Sequence, residues 1–165
     1  MTARAFGTAL LALALAACAH SAAPSPAHHP EARSYDAALD ANAAVDAALE
    51  RARVRGTRVL LVMGANWCHD SRALAGWLET PRFAALVDEH FELVFVNVGM
   101  PQTDDGHNLH IARRFGLDKL PGTPNLLVVG SDGSLLNRAT ATSWRNAASR
   151  DADAIYADLL GFTSI

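Results

Sequence analysis

Short apolar runs in the middle of the chain alternate with segments of helical periodicity. The runs are RVLLVMG at 58–64, FELVFVNVG at 91–99 and LPGTPNLLVVG at 120–130. A continuous apolar run of this length is typical of a strand that is buried on both faces. The third run leads through the turn SDG at 131–133 into SLLNRA at 134–139. Because a short Asp-Gly loop joins these last two runs, we expect a hairpin.

Amphipathic helices are predicted around these strands. Residues 34–56 place apolar side chains near one face, with Ser34 as the expected N-cap and Gly56 after the end. Further helical patterns occupy 71–79, 81–91, 108–116 and 142–162. Proline has no backbone N–H to donate, so Pro81 is expected to restart or kink the second helix. The order of elements predicts one α/β domain, with a central mixed β-sheet of parallel core and antiparallel hairpin, flanked by helices.

The N-terminal residues lack this pattern. Residues 1–17 combine one basic residue, Arg4, with an apolar run and small residues, the layout of a secretory signal peptide. The run ends at Leu15-Ala16-Ala17-Cys18, which resembles the lipobox of bacterial lipoproteins. This resemblance implies that Cys18 is acylated and begins the mature chain, which would anchor it to a membrane. The alternative is an ordinary signal peptide that has Cys18 by chance.

Residues 18–34 are interpreted as the lipidated cysteine and a flexible tether. They are rich in Pro, Ala and Ser and have no apolar period. His28 and His29 receive no role, since adjacent histidines in a tether are usually solvated. Ala19 occupies the position where Asp marks inner-membrane retention in Gram-negative lipoproteins, so the resemblance implies the periplasmic face of the outer membrane. The folded domain is expected at 35–165.

Composition narrows the class of function. The 165 residues are 50% hydrophobic, carry a formal net charge of -3 and contain no basic block. A phosphate-neutralising surface for nucleic acids is therefore not expected. Two cysteines cannot build a disulfide framework, so the fold must depend on the packing of its core.

Cys68 lies in the stretch GANWCHDSRAL at 64–74, between a predicted strand and a predicted helix. A sulfur at a helix N-terminus faces unpaired N–H groups and the positive end of the helix dipole, and both favour the nucleophilic thiolate. Ser71, one turn along, can donate its hydroxyl to that thiolate, and His69 adds a donor that titrates near neutral pH. Trp67 is expected to cover part of the site. These features favour a reactive thiol over an inert buried cysteine.

The motif Trp67-Cys68-His69-Asp70-Ser71, followed much later by Gly122-Thr123-Pro124 at the start of another strand, resembles the thioredoxin fold family. The resemblance covers roughly residues 35–162 by motif and element order. It implies a thioredoxin-like fold with Cys68 as the nucleophile. It also implies that a cis Thr123–Pro124 bond faces the cysteine, and that Trp67, Thr123 and Pro124 line the groove that binds an extended substrate.

Two positions depart from the family pattern. Ser71 replaces the second cysteine, so Cys68 cannot store two electrons in an internal disulfide, and Val62 replaces the buried carboxylate. What remains is chemistry through a mixed disulfide, such as isomerisation or deglutathionylation, with an external resolving thiol. We therefore expect thiol–disulfide exchange in the bacterial cell envelope, acting on protein thiols and disulfides or on a low-molecular-weight thiol.

Alternative interpretations stay open at this point. The same fold could serve as a non-catalytic binding module for an envelope protein. A one-cysteine peroxide reductase has no support, because Ala65 lies where peroxiredoxins have threonine. His107 and His110 could share a metal on one helix face, but a polar turn with a capped helix is the preferred interpretation. We expect neither a metal site nor a cofactor.

Overall fold

The computed structural model describes residue 1, residues 29–103 and residues 105–165. Cys18, Asp104 and most of the predicted signal peptide and tether lie outside the described residues. The helices are α1 Ala41–Arg55, α2 His69–Leu78, α3 Pro81–His90, α4 Leu109–Arg114 and α5 Ala152–Gly161, with single 3-10 turns at Ala147–Ser149 and Phe162–Ser164. The strands are β1 Arg58–Gly64, β2 Phe91–Asn97 and β3 Asn125–Val129. Among the described residues, no helix is both long and apolar enough to cross a membrane.

A mixed sheet with β1 in its centre forms the middle layer, which confirms the predicted fold class. Within the described residues the strand order is β2-β1-β3, with β2 parallel and β3 antiparallel to β1. Side chains alternate along β1, so Leu61 packs with α1 and α4 on one face and Leu60 packs with α2, α3 and α5 on the other. Helices cover both faces, and this explains why the strands are continuously apolar.

The C-terminal part differs from the sequence prediction. Within the described residues, the predicted strand at 134–139 forms one isolated bridge, between Leu135 and Val129. Asn137 provides the reason, because its side-chain amide accepts from Val128 N and donates to Leu126 O, both at 2.9 Å. This one amide occupies two backbone groups of β3 that a regular fourth strand would pair, so backbone pairing is limited to the neighbourhood of the bridge, where Leu136 N donates to Val128 O.

The last helix is also shorter than predicted. The pattern at 142–162 predicted one helix, whereas α5 begins at Ala152 after turns and a 3-10 turn. Asp151 caps α5, since its carboxylate accepts from Asp153 N at 2.8 Å. Trp144 is 1% exposed, so the preceding turns carry this large side chain into the core.

The first helix also begins later than predicted. Asp40, not Ser34, is the N-cap of α1, and its carboxylate accepts from Ala43 N at 3.0 Å. Ser34 instead donates its hydroxyl to Glu79. Ala32 N donates to the carbonyl oxygen of Arg72 at 3.0 Å. Part of the segment assigned to the tether therefore packs on α2.

Candidate active site

Cys68 is the N-cap of α2, with φ -81° and ψ 123°, where the chain leaving β1 turns into the helix. Its thiol Sγ donates to the carbonyl oxygen of Thr123 over 3.5 Å. The residue is 8% exposed, so a small part of it is open to solvent. Among the described residues Cys68 is the free cysteine. Cys68 thus counts among the buried residues, at a helix N-terminus where unpaired backbone N–H groups favour a thiolate.

The Thr123–Pro124 peptide bond is cis, and it immediately precedes β3. Thr123 is 6% exposed. The antiparallel register places Met63 of β1 opposite Asn125 of β3. The exit of β1 and the entrance of β3 thus lie at the same end of the sheet, and this brings Thr123 to Cys68.

Ser71 is fully buried, and its Oγ has no hydrogen-bond partner within the described residues. Among the described residues, the Ser71 hydroxyl thus makes no hydrogen bond to Cys68 while the cysteine is a neutral thiol. A neutral thiol is a weak acceptor, whereas a thiolate accepts strongly. The role of the Ser71 hydroxyl as a donor to the thiolate therefore stays a prediction.

Tyr35, the first residue of the predicted domain, also contacts the first turn of α2, although no sequence motif points to it. Its hydroxyl donates to the Ser71 carbonyl oxygen at 3.1 Å. Its backbone exchanges two hydrogen bonds with the Asn66 side chain, at 3.2 and 2.9 Å. Burial raises the pKa of Tyr35 far above the usual value, so the phenol stays neutral. A Cβ on Gly64 would lie 2.6 Å from the Tyr35 ring, so that glycine is the local signal of this close contact.

Arg72 and Trp67 shape the loop that enters the site. Arg72 Nη1 donates to the carbonyl oxygens of Asn66 and Trp67, at 3.1 and 3.0 Å. Trp67 is 52% exposed, and its indole N–H donates to Gly99 O at 3.0 Å. Both side chains thus fix the loop that leads to Cys68, and about half of Trp67 remains exposed. The role of Arg72 has no sequence signal, because its partners in the loop are backbone atoms and its side-chain partner, Glu31, lies 41 positions away.

His69 and Asp70 both contact distant segments. The two ring nitrogens of His69 face His29, at 2.9 Å, and the carboxylate of Glu31, at 3.3 Å. Neither of these contacts involves Cys68, so the role of His69 in tuning the thiol stays a prediction. Asp70 accepts from the backbone N of Ala148 at 2.8 Å and thereby holds the turns before α5.

Potential metal ligands meet at one place in the described part of the chain. This group is His29, Glu31 and His69. His110, considered as a ligand in the sequence analysis, instead bonds to Asn42 Oδ1 through Nε2 at 2.9 Å. Cys68 is not a member of the group.

Comparisons with known proteins agree with this fold. A family model of thioredoxin-like proteins matches residues 40–131. The solved disulphide isomerase from Xylella fastidiosa Temecula1 is 33% identical, with a TM-score of 0.71 over 78% of this chain and 95% of that chain. A thioredoxin from Thermus thermophilus is 21% identical, with a TM-score of 0.51 over 70% of this chain and 81% of that chain, and shows the fold alone. No curated protein matches the chain significantly. This chain belongs to the thioredoxin-like family.

Proposed function

We propose that this protein carries out thiol–disulfide exchange with Cys68 as its single working cysteine. The observation that carries the proposal is the position of Sγ, at the N-terminus of α2 and 3.5 Å from the Thr123 carbonyl oxygen. The 33% identity to a disulphide isomerase supports the same class of reaction. Ser71 at the second position of the motif supports a mechanism that uses one thiol.

The exchange proceeds by successive displacements at sulfur, and each of them conserves electrons. The Cys68 thiolate attacks one sulfur of a client disulfide, so a mixed disulfide forms and the other client sulfur leaves as a thiolate. If the client thiolate that has just left attacks the mixed disulfide, the original client disulfide is restored. If a different thiol of the same client attacks the client sulfur, Cys68 is released and the client disulfide is rearranged without net oxidation. If a low-molecular-weight thiol attacks the Cys68 sulfur instead, the client leaves as a dithiol, and a second low-molecular-weight thiol then releases Cys68 and departs in a small disulfide, so the two small thiols supply the two electrons.

The surface around the sulfur suits an extended client segment. Thr123 presents its backbone carbonyl to Sγ, and a client strand that pairs with this backbone would bring its disulfide to the same point. Trp67, which is 52% exposed, would cover the client on the other side of the sulfur. Trp67, Thr123 and Pro124 are thus the proposed client-binding residues, and Ser71 the donor to the thiolate.

The proposed site of action is the bacterial cell envelope. The apolar run that ends at Leu15-Ala16-Ala17-Cys18 supports a lipid anchor on Cys18, and Ala19 supports the periplasmic face of the outer membrane. Membrane fractionation tests this part separately. We expect the wild-type chain in the outer-membrane fraction and Cys18→Ser in neither membrane. Equal membrane attachment of both proteins would refute the anchor.

Trapping of client adducts tests the chemistry. Cells that express the full chain are quenched with acid, alkylated and separated without reductant. We expect disulfide-linked adducts that disappear on reduction and are absent from Cys68→Ser. Purified wild-type protein should also accelerate the reactivation of scrambled ribonuclease in a glutathione buffer, whereas Cys68→Ser should not. Failure in both assays would leave the binding-module alternative, in which client capture is non-covalent and independent of Cys68.

A further inference from the structure

His69 and two residues of the N-terminal segment form a cluster that thiol exchange does not use. His69 Nε2 lies 2.9 Å from His29 Nε2, and His69 Nδ1 lies 3.3 Å from Glu31 Oε1. One candidate ligand atom from each of the three residues lies within 4.8 Å of the other two. Two imidazole nitrogens and one carboxylate oxygen are a donor set that zinc accepts.

The spacing of these atoms is compatible with one ion. Zinc binds histidine nitrogen and carboxylate oxygen at about 2.0–2.2 Å, which separates neighbouring tetrahedral ligands by roughly 3.3 Å. One ion would use a single nitrogen of His69, whereas the contacts to His29 and Glu31 involve its two different nitrogens. The 2.9 Å between the two Nε2 atoms is near this separation, and the candidate atoms of all three residues lie within 4.8 Å of one another, so the side chains would rotate to close on the ion. The His69 side chain is 59% exposed and that of Glu31 is 37% exposed, so an ion can enter from solvent and small rotations are open to both.

Packing that involves no metal holds the N-terminal segment in place. Ala32 N donates to Arg72 O at 3.0 Å, and a Cβ on Gly76 would lie 2.4 Å from Pro30 O. Arg72 Nε donates to Glu31 Oε2 at 2.8 Å, which leaves Oε1 directed at His69. Hydrogen bonds and packing between the N-terminal segment and α2 therefore bring the three residues together without a metal ion.

We propose that His29, Glu31 and His69 form a zinc-binding site that fastens the N-terminal segment to the first turn of α2. The ion would join two parts of the chain that lie 38 to 40 positions apart. Cys68 is outside the ligand group, so the site does not use the nucleophile of the proposed thiol exchange. Three protein ligands leave a coordination position to water.

Competition with a chromophoric zinc chelator tests the site on the full chain, with Zn²⁺ as the probe. We expect about one zinc per chain, and a loss of affinity of at least tenfold in His29→Gln, His69→Gln and Glu31→Gln, in the range known for disrupted zinc environments. The matched control His110→Gln and the thiol variant Cys68→Ser should bind like wild type. Unchanged affinity in the three cluster variants, or loss of binding in Cys68→Ser, would overturn the proposal.

Proteolysis tests whether the ion fastens the segment. Arg33 is exposed directly after the cluster, so trypsin can report on the order of this segment. Zinc should slow cleavage after Arg33 severalfold in wild type and in His110→Gln, because binding stabilises the docked state. It should have no effect in His29→Gln or His69→Gln. Equal protection in these variants would place the ion elsewhere and refute the site.

Discussion

The thiol of Cys68 donates to the carbonyl oxygen of Thr123 over 3.5 Å, although the two residues lie 55 positions apart. Sheet topology creates this contact, because the antiparallel register of β1 and β3 brings their ends together. A client backbone that pairs with Thr123 would therefore lie next to the sulfur. Substitutions close to this contact should alter the thiol chemistry, whereas substitutions far from it should alter only the stability of the fold.

Restoring a second thiol should change the fate of the mixed disulfide. Ser71 is the third helical residue after the N-cap Cys68, and side chains at these two positions can reach each other. In Ser71→Cys we expect an internal disulfide that resolves client adducts and supports reduction of insulin with a dithiol. Free-thiol counts and insulin turnover measure this.

The control for Ser71→Cys is Ser143→Cys, which adds a thiol at an exposed position. It should leave the yield of trapped adducts as in wild type. If Ser71→Cys keeps two free thiols and the wild-type adduct yield, the assigned geometry of the first turn is wrong.

Removing Arg72 should loosen the loop that carries the active cysteine. Its side chain is 17% exposed and bonds to the carbonyl oxygens of Asn66 and Trp67 and to Glu31. We expect Arg72→Ala to lower the free energy of unfolding by about 1–3 kcal/mol, as measured by urea denaturation. Arg114→Ala is the control, because its pair with Asp46 is exposed and should cost less than about 1 kcal/mol. Equal losses would contradict a special role of Arg72.

Gly76→Ala should release the N-terminal segment from α2. Alanine in a helix interior normally stabilises by about 1 kcal/mol relative to glycine. Here the new Cβ would lie 2.4 Å from Pro30 O and 2.7 Å from Glu31 N, so the segment must move. We expect faster tryptic cleavage after Arg33 and no gain in stability. The exposed helix-terminal Gly161→Ala, with nothing within 4 Å of its new Cβ, is the control and should leave the cleavage rate as in wild type. Unchanged cleavage in Gly76→Ala would show that the contact is not maintained in solution.

Glu92 should make stability depend on acid pH. Its carboxylate is 6% exposed and pairs with Arg51 and Arg55. Burial opposes ionisation, but the hydrogen bonds from the two arginines outweigh it and hold the pKa of Glu92 below its usual range. The folded pKa thus lies below the unfolded value of about 4.3. The ionised pair consequently stabilises the fold above that pH, and the contribution is lost as the pH falls through the folded pKa.

Unfolding measured over a pH series checks this. Glu92→Gln should cost about 1–3 kcal/mol near neutral pH, and the difference from wild type should narrow as the solution approaches pH 3. Glu50→Gln, which alters an exposed pair with Arg53, should behave like wild type at every pH. A gap that stays constant between neutral and acid pH would show that the pair does not act through charge.

Apolar periodicity predicted most of the fold and failed where side chains replaced backbone pairing. The runs at 58–64 and 91–99 became β1 and β2 because helices cover both faces of the sheet. The predicted strand at 134–139 has the apolar residues of a strand. However, the Asn137 amide bonds to Val128 N and Leu126 O, two backbone groups of β3 with which a regular strand would pair. Such a long-range hydrogen bond leaves no periodic signal in the sequence.

The sequence by itself determined that a lone thiol begins a helix after a buried strand, since this follows from residue order and local periodicity. The tertiary structure alone decided what surrounds the thiol. It placed Thr123 against the sulfur, Tyr35 behind Ser71, and Glu31 beside His69. These neighbours are far apart in the chain, and their contacts depend on strand register and on side-chain hydrogen bonds. Strand register and long-range side-chain hydrogen bonds are fixed only when the chain has folded.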